Sequence, residues 1–324
     1  MKVAVTGGAG FIGRATVEAL LSRGHEVLVI DDLSTSGYKA LGETYNIEKK
    51  HPGRLFIVVE DVSKKGVLRE AVKSVGWKGV DAIVHLAAIA SVELCNSEPR
   101  RCREVNIRGT INVARDSIIV GARHLVYASS AAVYGNPSSL PVSEDHPLRP
   151  ISLYGYTKLR GEEVLLSLAS SSNVKVSILR YFNVYGPGMN PAYAGVILRF
   201  VEAFARGEKP VIYGDGAQTR DFVHVRDVAE ANIAVIEEGV GGVYNIGTGV
   251  ETSIIDLCRT IARLASRRCE PVYKEPRKGD IRRSVADISK ARENLKWSPK
   301  VSLKQGLAEL LSSYNLRANP NGSL

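Results

Sequence analysis

The segment Thr6-Gly7-Gly8-Ala9-Gly10-Phe11-Ile12-Gly13 stands between an apolar run, Val3 to Thr6, and a helical period, Phe11 to Ser22. Its glycines are spaced G-x-x-G-x-x-G at the turn from strand to helix, and each has its own task. Gly7 permits the tight turn, Gly10 lets the backbone approach a pyrophosphate, and Gly13 lets the helix pack closely on the sheet. The free N–H groups at the helix start then face the phosphates. Eighteen residues beyond Gly13, where the second apolar run ends, comes Asp31. A carboxylate there accepts hydrogen bonds from both ribose hydroxyls and repels a 2′-phosphate, which selects NAD over NADP. Asp61-Val62 follows the third run, where a side chain can meet the adenine.

Outward from this turn the first half of the chain alternates. Val3 to Thr6, Glu26 to Ile30, Leu55 to Val59, Val80 to His85, Leu125 to Ser129 and Val174 to Arg180 read as strands. They are nearly continuous in apolar character, as strands covered on both faces should be. Helical periods lie between them at Phe11 to Ser22, Lys64 to Val75, Pro99 to Ile118 and Ser152 to Leu168. Such alternation implies right-handed βαβ crossovers, hence an α/β fold with a Rossmann-type, doubly wound parallel sheet. After Tyr181 glycine and proline punctuate the chain. Helices are expected at Gly195 to Arg206, Val225 to Glu237, Ser253 to Ala265 and Val301 to Leu316, with short strands at Val211 to Tyr213 and Val272 to Lys274. The expected organisation is a dinucleotide-binding domain over residues 1–182, onto which about 221–250 packs back. A smaller α/β substrate-binding lobe over 183–316 and a frayed polar tail, 317–324, complete it.

With 324 residues, 44% hydrophobic and 24% charged, the composition is that of a globular protein, not of a disordered or collagen-like chain. No apolar run approaches the roughly 18 residues of a membrane span, and the chain enters its first strand at Lys2, so a soluble cytoplasmic protein is expected. The formal charge of +9 suits a nucleic acid, an anionic membrane or an anionic small substrate. The clusters Arg100-Arg101-x-Arg103, Arg267-Arg268 and Arg282-Arg283 lack interleaved aromatics, so no nucleic-acid or membrane partner is expected. Cys95, Cys102, Cys258 and Cys269 form no C-x-x-C pair, and no H-E-x-x-H occurs. Neither a metal site nor a disulfide framework is expected, except that Cys95 and Cys102 could bridge in a hyperthermophile.

A chemical centre is expected after the fifth strand. Tyr127-Ala128-Ser129-Ser130-Ala131-Ala132-Val133-Tyr134-Gly135 is followed by Tyr154-Gly155-Tyr156-Thr157-Lys158. Four residues apart on a helix, Tyr154 and Lys158 share one face. A free tyrosine, with a pKa near 10, is a poor base at neutral pH. A nearby ammonium and the positive charge of an oxidised nicotinamide both favour the phenolate. Ser130, at a strand end over the cofactor, can hold the same substrate oxygen.

On these residues the chain resembles the extended short-chain dehydrogenase/reductase superfamily and, within it, the UDP-glucose (UDP-galactose) 4-epimerase family. Further marks of the resemblance, which runs from residue 1 to about 316, are His85-Leu86-Ala87-Ala88, Arg180-Tyr181-Phe182-Asn183-Val184-Tyr185-Gly186-Pro187, Gly214-Asp215-Gly216-x-Gln218-Thr219-Arg220-Asp221-Phe222-Val223-His224-Val225 and Arg277-Lys278-Gly279-Asp280. The resemblance implies that Tyr154 takes the proton of a sugar 4-hydroxyl while the C4 hydride passes to NAD, and that the hydride returns to the other face of the 4-keto sugar. The catalytic set is Tyr154, Lys158 and Ser130. The expected cofactor set is Gly7, Gly10, Phe11, Ile12, Gly13, Asp31, Asp32, Asp61, Val62, Leu86, Ala87, Ala88, Asn106, Ser129, Tyr154, Lys158 and Tyr181. For the UDP-sugar the resemblance implies Ser130, Tyr154, Asn183, Arg220, Arg277, Asp280 and Ser284. Arg220 and Arg277 would fork onto the diphosphate and Asp280 would hold a ribose hydroxyl.

Departures from the family pattern narrow the chemistry. Related 4,6-dehydratases carry an acidic pair where this chain has Ala131-Ala132, which cannot transfer protons. Decarboxylases acting on UDP-glucuronate usually carry a Glu there. Another nucleotide-sugar enzyme of the superfamily, a UDP-glucuronate 4-epimerase or a dehydratase, remains an alternative, as does a non-enzymatic protein that keeps only the NAD fold. Ala90 stands where some members place a Lys near the phosphates. Ser284 replaces a bulky Tyr that gates the C2 substituent, so UDP-N-acetylhexosamines are expected to fit as well. Family analogy also implies a homodimer, with Pro99 to Ile118 and Ser152 to Leu168 of two subunits forming a four-helix bundle.

Overall fold

The computed structural model describes residues 1–35, 37–190, 195–277 and 279–316. In order come β1 (Lys2–Thr6), α1 (Phe11–Ser22), β2 (Glu26–Asp31), α2 (Gly37–Lys50), β3 (Leu55–Val59), α3 (Val67–Ser74) and β4 (Ala82–His85). They are followed by α4 (Val92–Ser97), α5 (Pro99–Arg103), α6 (Gly109–Ile119), β5 (His124–Ser130), α7 (Leu153–Ser171) and β6 (Lys175–Tyr181). Val3, Ala4 and Val5 of β1 are wholly buried, because helices cover both faces of the sheet. α1 presents Val17, Leu20 and Leu21 to the sheet, and the chain turns away from it at Gly24, whose φ of 82° is left-handed.

Next come β7 (Asn183–Tyr185), α8 (Val196–Ala205), β8 (Val211–Tyr213), β9 (Thr219–Arg220), β10 (Phe222–His224), α9 (Val225–Glu237), β11 (Gly242–Ile246), β12 (Thr252–Ser253), α10 (Ile254–Leu264), β13 (Val272–Lys274), α11 (Ser289–Leu295) and α12 (Leu303–Ser313). The main sheet has seven strands in the order β3-β2-β1-β4-β5-β6-β11, all paired in parallel. From β1 the chain builds outward through β2 and β3, then returns to place β4 on the other side of β1. This reversal opens a crevice beyond the C-terminal ends of β1 and β4, where such sheets bind ligands. β11 pairs with β6, and α9 packs on α1. A separate apolar cluster, including Phe200, Phe204, Leu257, Ile261, Leu307 and Leu311, is built from α8, α10 and α12.

Several expectations are corrected. α2 and β11 were not expected as regular elements. The first is a mostly polar helix behind a Ser/Thr/Gly stretch, and the second is five residues between glycines. The helix expected from Lys64 starts at Val67, because Gly66 takes φ 82°. The helix expected over Pro99 to Ile118 contains a π turn, Glu104–Arg108. Two disulfides are present, Cys95–Cys102 with Cα atoms 5.1 Å apart and Cys258–Cys269 at 6.3 Å, where no disulfide framework was expected. Sequence spacing missed Cys258–Cys269 because the loop after α10 folds back on the helix. The expected frayed tail, 317–324, and Lys278 of the Arg277-Lys278-Gly279-Asp280 motif lie outside the described residues.

Candidate active site

The crevice at the sheet reversal is a cavity of about 520 Å³. Gly7 has φ 71°, and a Cβ there would lie 2.6 Å from the Ala87 nitrogen; a Cβ on Gly13 would run into the Gly7 carbonyl. The turn thus packs against the β4 loop with no room for side chains, and Gly10, the residue before α1, leaves the helix N–H groups uncapped by any side chain. Such a cradle fits a dinucleotide pyrophosphate. Phe11, Ile12, Asp32, Asp61, Val62, Leu86, Ala87 and Ala88 also line the cavity, as does Ala90.

Asp31 lines it too while bracing its wall, accepting hydrogen bonds from the Ala9 N–H at 3.0 Å and the Leu33 N–H at 2.8 Å. Burial pushes its carboxyl above the usual range, and those two hydrogen bonds pull it back. Tyr181 presents its ring to the cavity, while its hydroxyl donates to Asn232 Oδ1 at 2.5 Å. Asn106 is placed differently from the expectation. It is 1% exposed on the π turn, accepting from the Ile89 N–H at 2.8 Å and donating to the Ile89 carbonyl and to Thr157. Its side chain braces the β4 loop from behind and does not line the cavity.

Ser129, Ser130, Tyr154 and Lys158 line the same cavity. α7 starts at a side-chain cap, Ser152, and brings Tyr154 within hydrogen-bond reach of the Ser130 side chain. Ser130 Oγ also accepts from the Ala132 N–H at 3.2 Å. The Lys158 ammonium donates to the Ala128 carbonyl at 2.7 Å and stands 5.0 Å over the Tyr127 ring. Burial lowers Lys158 to about 7, with Glu162 opposing. Tyr154 lies on the same face of α7, one turn before Lys158. Burial raises its hydroxyl above the ordinary tyrosine value, and the Ser130 hydrogen bond only partly offsets this. Desolvation of the phenolate outweighs that hydrogen bond, while the Lys158 ammonium is directed at the Ala128 carbonyl and the Tyr127 ring.

A second cavity, about 800 Å³, is lined by Tyr213, Gly214, Asp215, Gln218, Tyr273, Arg277 and Asp280, among others. Arg277 stacks 4.1 Å over the Tyr213 ring. Arg220 and Asp280 form an ion pair with each other, and Arg220 also donates to the Ile281 carbonyl at 2.6 Å and the Thr219 carbonyl at 2.7 Å. Asn183 is exposed on β7 and lines neither cavity. Ser284 is 8% exposed and also lines neither cavity, which departs from its expected place at the sugar. The reason is local: Val142 pairs with the adjoining Val285 and Asp287 backbone and draws this segment inward.

The residue reading gave no role to Glu162, Arg180 or Tyr213. Glu162 lies four residues beyond Lys158, so the helical period already carried its signal. Tyr213 directly precedes Gly214-Asp215-Gly216, but nothing in its spacing announced a stacked arginine.

Comparison with known proteins agrees with this geometry. The model of the NAD dependent epimerase/dehydratase family matches residues 3–247. The UDP-glucose 4-epimerase of Mycolicibacterium smegmatis is 38% identical over 317 residues, 97% of this chain and 98% of that protein. The structure of UDP-glucose 4-epimerase from Thermotoga maritima with UDP-glucose superposes with a TM-score of 0.89 at 36% identity, covering 97% of this chain and 99% of that one. The structure of UDP-N-acetylglucosamine 4-epimerase from Methanobrevibacter ruminantium, in complex with UDP-N-acetylmuramic acid, gives 0.88 at 34% identity, with 97% and 98% covered.

Proposed function

The chain belongs to the NAD dependent epimerase/dehydratase family, as an epimerase that uses NAD, and from that premise we propose that it interconverts UDP-galactose and UDP-glucose through a 4-keto sugar. The observation that carries this reading is the union of Ser130, Tyr154 and Lys158 with the glycine-rich turn in one cavity. When bound, NAD supplies the acceptor and later the donor of the C4 hydride, together with a positive charge that favours the phenolate. Ser130 orients the 4-oxygen, Tyr154 takes its proton and afterwards returns it, and the ammonium form of Lys158 favours the phenolate. The 4-keto sugar must offer its opposite face before the proton goes back. Ala131-Ala132, on the short turn after Ser130, offers no acid for loss of the C6 hydroxyl, which favours epimerisation over dehydration.

On the same reading, the second cavity takes the UDP moiety, with Arg277 at the diphosphate and the Arg220–Asp280 pair opening to meet diphosphate and ribose. We extend the substrates to UDP-N-acetylhexosamines on the likeness to the UDP-N-acetylglucosamine 4-epimerase of Methanobrevibacter ruminantium; a protein that converts UDP-galactose but leaves UDP-N-acetylglucosamine unchanged would remove that extension. The subunit is proposed to pair through α6 and α7, which leave Ile118, Ile119, Tyr156 and Leu166 exposed. Light scattering on the eluting protein should then give twice the chain mass. A cytoplasmic location completes the proposal, and the two disulfides accord with a hyperthermophile's cytoplasm.

The deciding experiment is incubation of purified protein with UDP-galactose, without added NAD, followed by separation of the UDP-hexoses. Conversion that Tyr154→Phe lowers by at least about 100-fold supports both the reaction and a retained cofactor. No conversion of UDP-galactose, UDP-N-acetylglucosamine or UDP-glucuronate, even with NAD supplied, would refute the assignment.

A further inference from the structure

Tyr154, Lys158 and Glu162 recur every four residues along α7, so three polar side chains face the end of β5. Each is tied to a different point of that strand. Tyr154 meets the Ser130 side chain, Lys158 the Ala128 carbonyl, and Glu162 the Ser129 hydroxyl. Glu162 is 1% exposed, and Arg180 of β6 clamps it through Nε at 3.0 Å and Nη2 at 2.7 Å. Arg180 in turn donates to the Tyr134 hydroxyl at 3.0 Å and the Glu144 carbonyl at 2.9 Å, so the carboxylate cannot swing away without breaking a buried network.

The charged and titratable groups around the Lys158 ammonium are Glu162 of its own helix, Tyr127 of β5 and His85 of β4, with the Arg180 guanidinium of β6 paired to Glu162. Burial holds His85 neutral, at about 3, and raises the Tyr127 phenol. That leaves Glu162 as the anion of the group. A buried ammonium deprived of its anion sheds its proton more readily.

We propose that Glu162 is a positioning residue for the reaction, keeping Lys158 charged and α7 in register with Ser130. The inference rests on reading Ser130, Tyr154 and Lys158 as the groups that handle the proton. Burial lowers the Lys158 ammonium and Glu162 opposes it, so loss of the Glu162 charge lowers the ammonium further.

The test is Glu162→Gln, which keeps an acceptor for Ser129 and removes the charge. Turnover at pH 8 should fall about 10- to 100-fold with KM for the UDP-hexose changed less than about twofold, and the deficit should shrink below about pH 6. Independently of turnover, the Lys158 side-chain resonance of lysine-labelled, NAD-loaded protein, assigned with Lys158→Met, should titrate at lower pH in Glu162→Gln. Since that variant leaves the buried Arg180 guanidinium without its counter-charge, Glu162→Gln/Arg180→Met is the companion. It should regain thermal stability yet keep both the turnover loss and the displaced titration. A deficit constant across pH, an unmoved Lys158 titration, or a double variant with wild-type turnover would overturn the proposal. If the wild type acts on no UDP-sugar, the functional reading fails, while the Lys158 titration still decides the role of Glu162.

Discussion

Asp31 joins a structural task to the cofactor contact proposed for it. Its carboxylate holds the glycine-rich turn through the Ala9 N–H and still lines the cavity. Asp31→Asn cannot accept both backbone hydrogen bonds as a carboxylate does. NAD affinity should fall about 10- to 100-fold, as expected for losing a charged hydrogen bond, and preference over NADP should narrow; calorimetric titration with each dinucleotide checks both. Lys158 yields a second prediction. Its ammonium is lowered from 10.5 to about 7 in the folded protein, so between those values the unfolded chain binds the extra proton. Stability therefore gains a contribution as pH rises from about 7 towards 10.5, and Lys158→Met should lack that gain in denaturant titrations at pH 7 and pH 9.5.

Among the elements, the strand–turn–helix of β1 and α1 is the most sharply specified. Gly13→Ala places a methyl group against the Gly7 carbonyl, so the turn must open. We expect the variant to lose bound NAD on gel filtration while the sheet's circular dichroism persists. The two disulfides act locally, one between α4 and α5, the other from α10 to the loop before β13. Replacing Cys258 and Cys269 together by Ser should cost about 2–4 kcal/mol and lower the melting temperature. A thiol count on denatured protein without reductant should find no free cysteine in the wild type. The long helical period from Pro99 was legible, but its π turn was not. Nothing in Glu104-Val105-Asn106-Ile107-Arg108 marks a changed hydrogen-bond register, which is stabilised by the contacts Asn106 makes with Ile89 and Thr157.

At the scale of the whole molecule, the burial of histidines couples the fold to pH. His85, His124 and His224 are lowered by burial from 6.5 to about 3, 4 and 4. Each is neutral in the fold and protonates in the unfolded chain below about pH 6.5. Stability should thus fall on acidification from that point down to each folded value, by about 1.4 kcal/mol per pH unit for each histidine. Melting temperatures between pH 7 and pH 4 should show the decline, and His124→Gln should make it shallower.

By itself the sequence determined the parallel sheet, the glycine-rich turn and the shared face of Tyr154 and Lys158, because each depends on local period and residue type. Tertiary structure alone decided the placing of β11 beside β6, the pairing of Cys258 with Cys269, the mutual engagement of Arg220 and Asp280, and the withdrawal of Asn106 and Ser284 from the cavities. It also sets the balance at Tyr154 between burial and the Ser130 hydrogen bond. The sign there is set by how much water the fold removes from the phenol and by the reach of the Ser130 side chain, and both are properties of packing across distant segments.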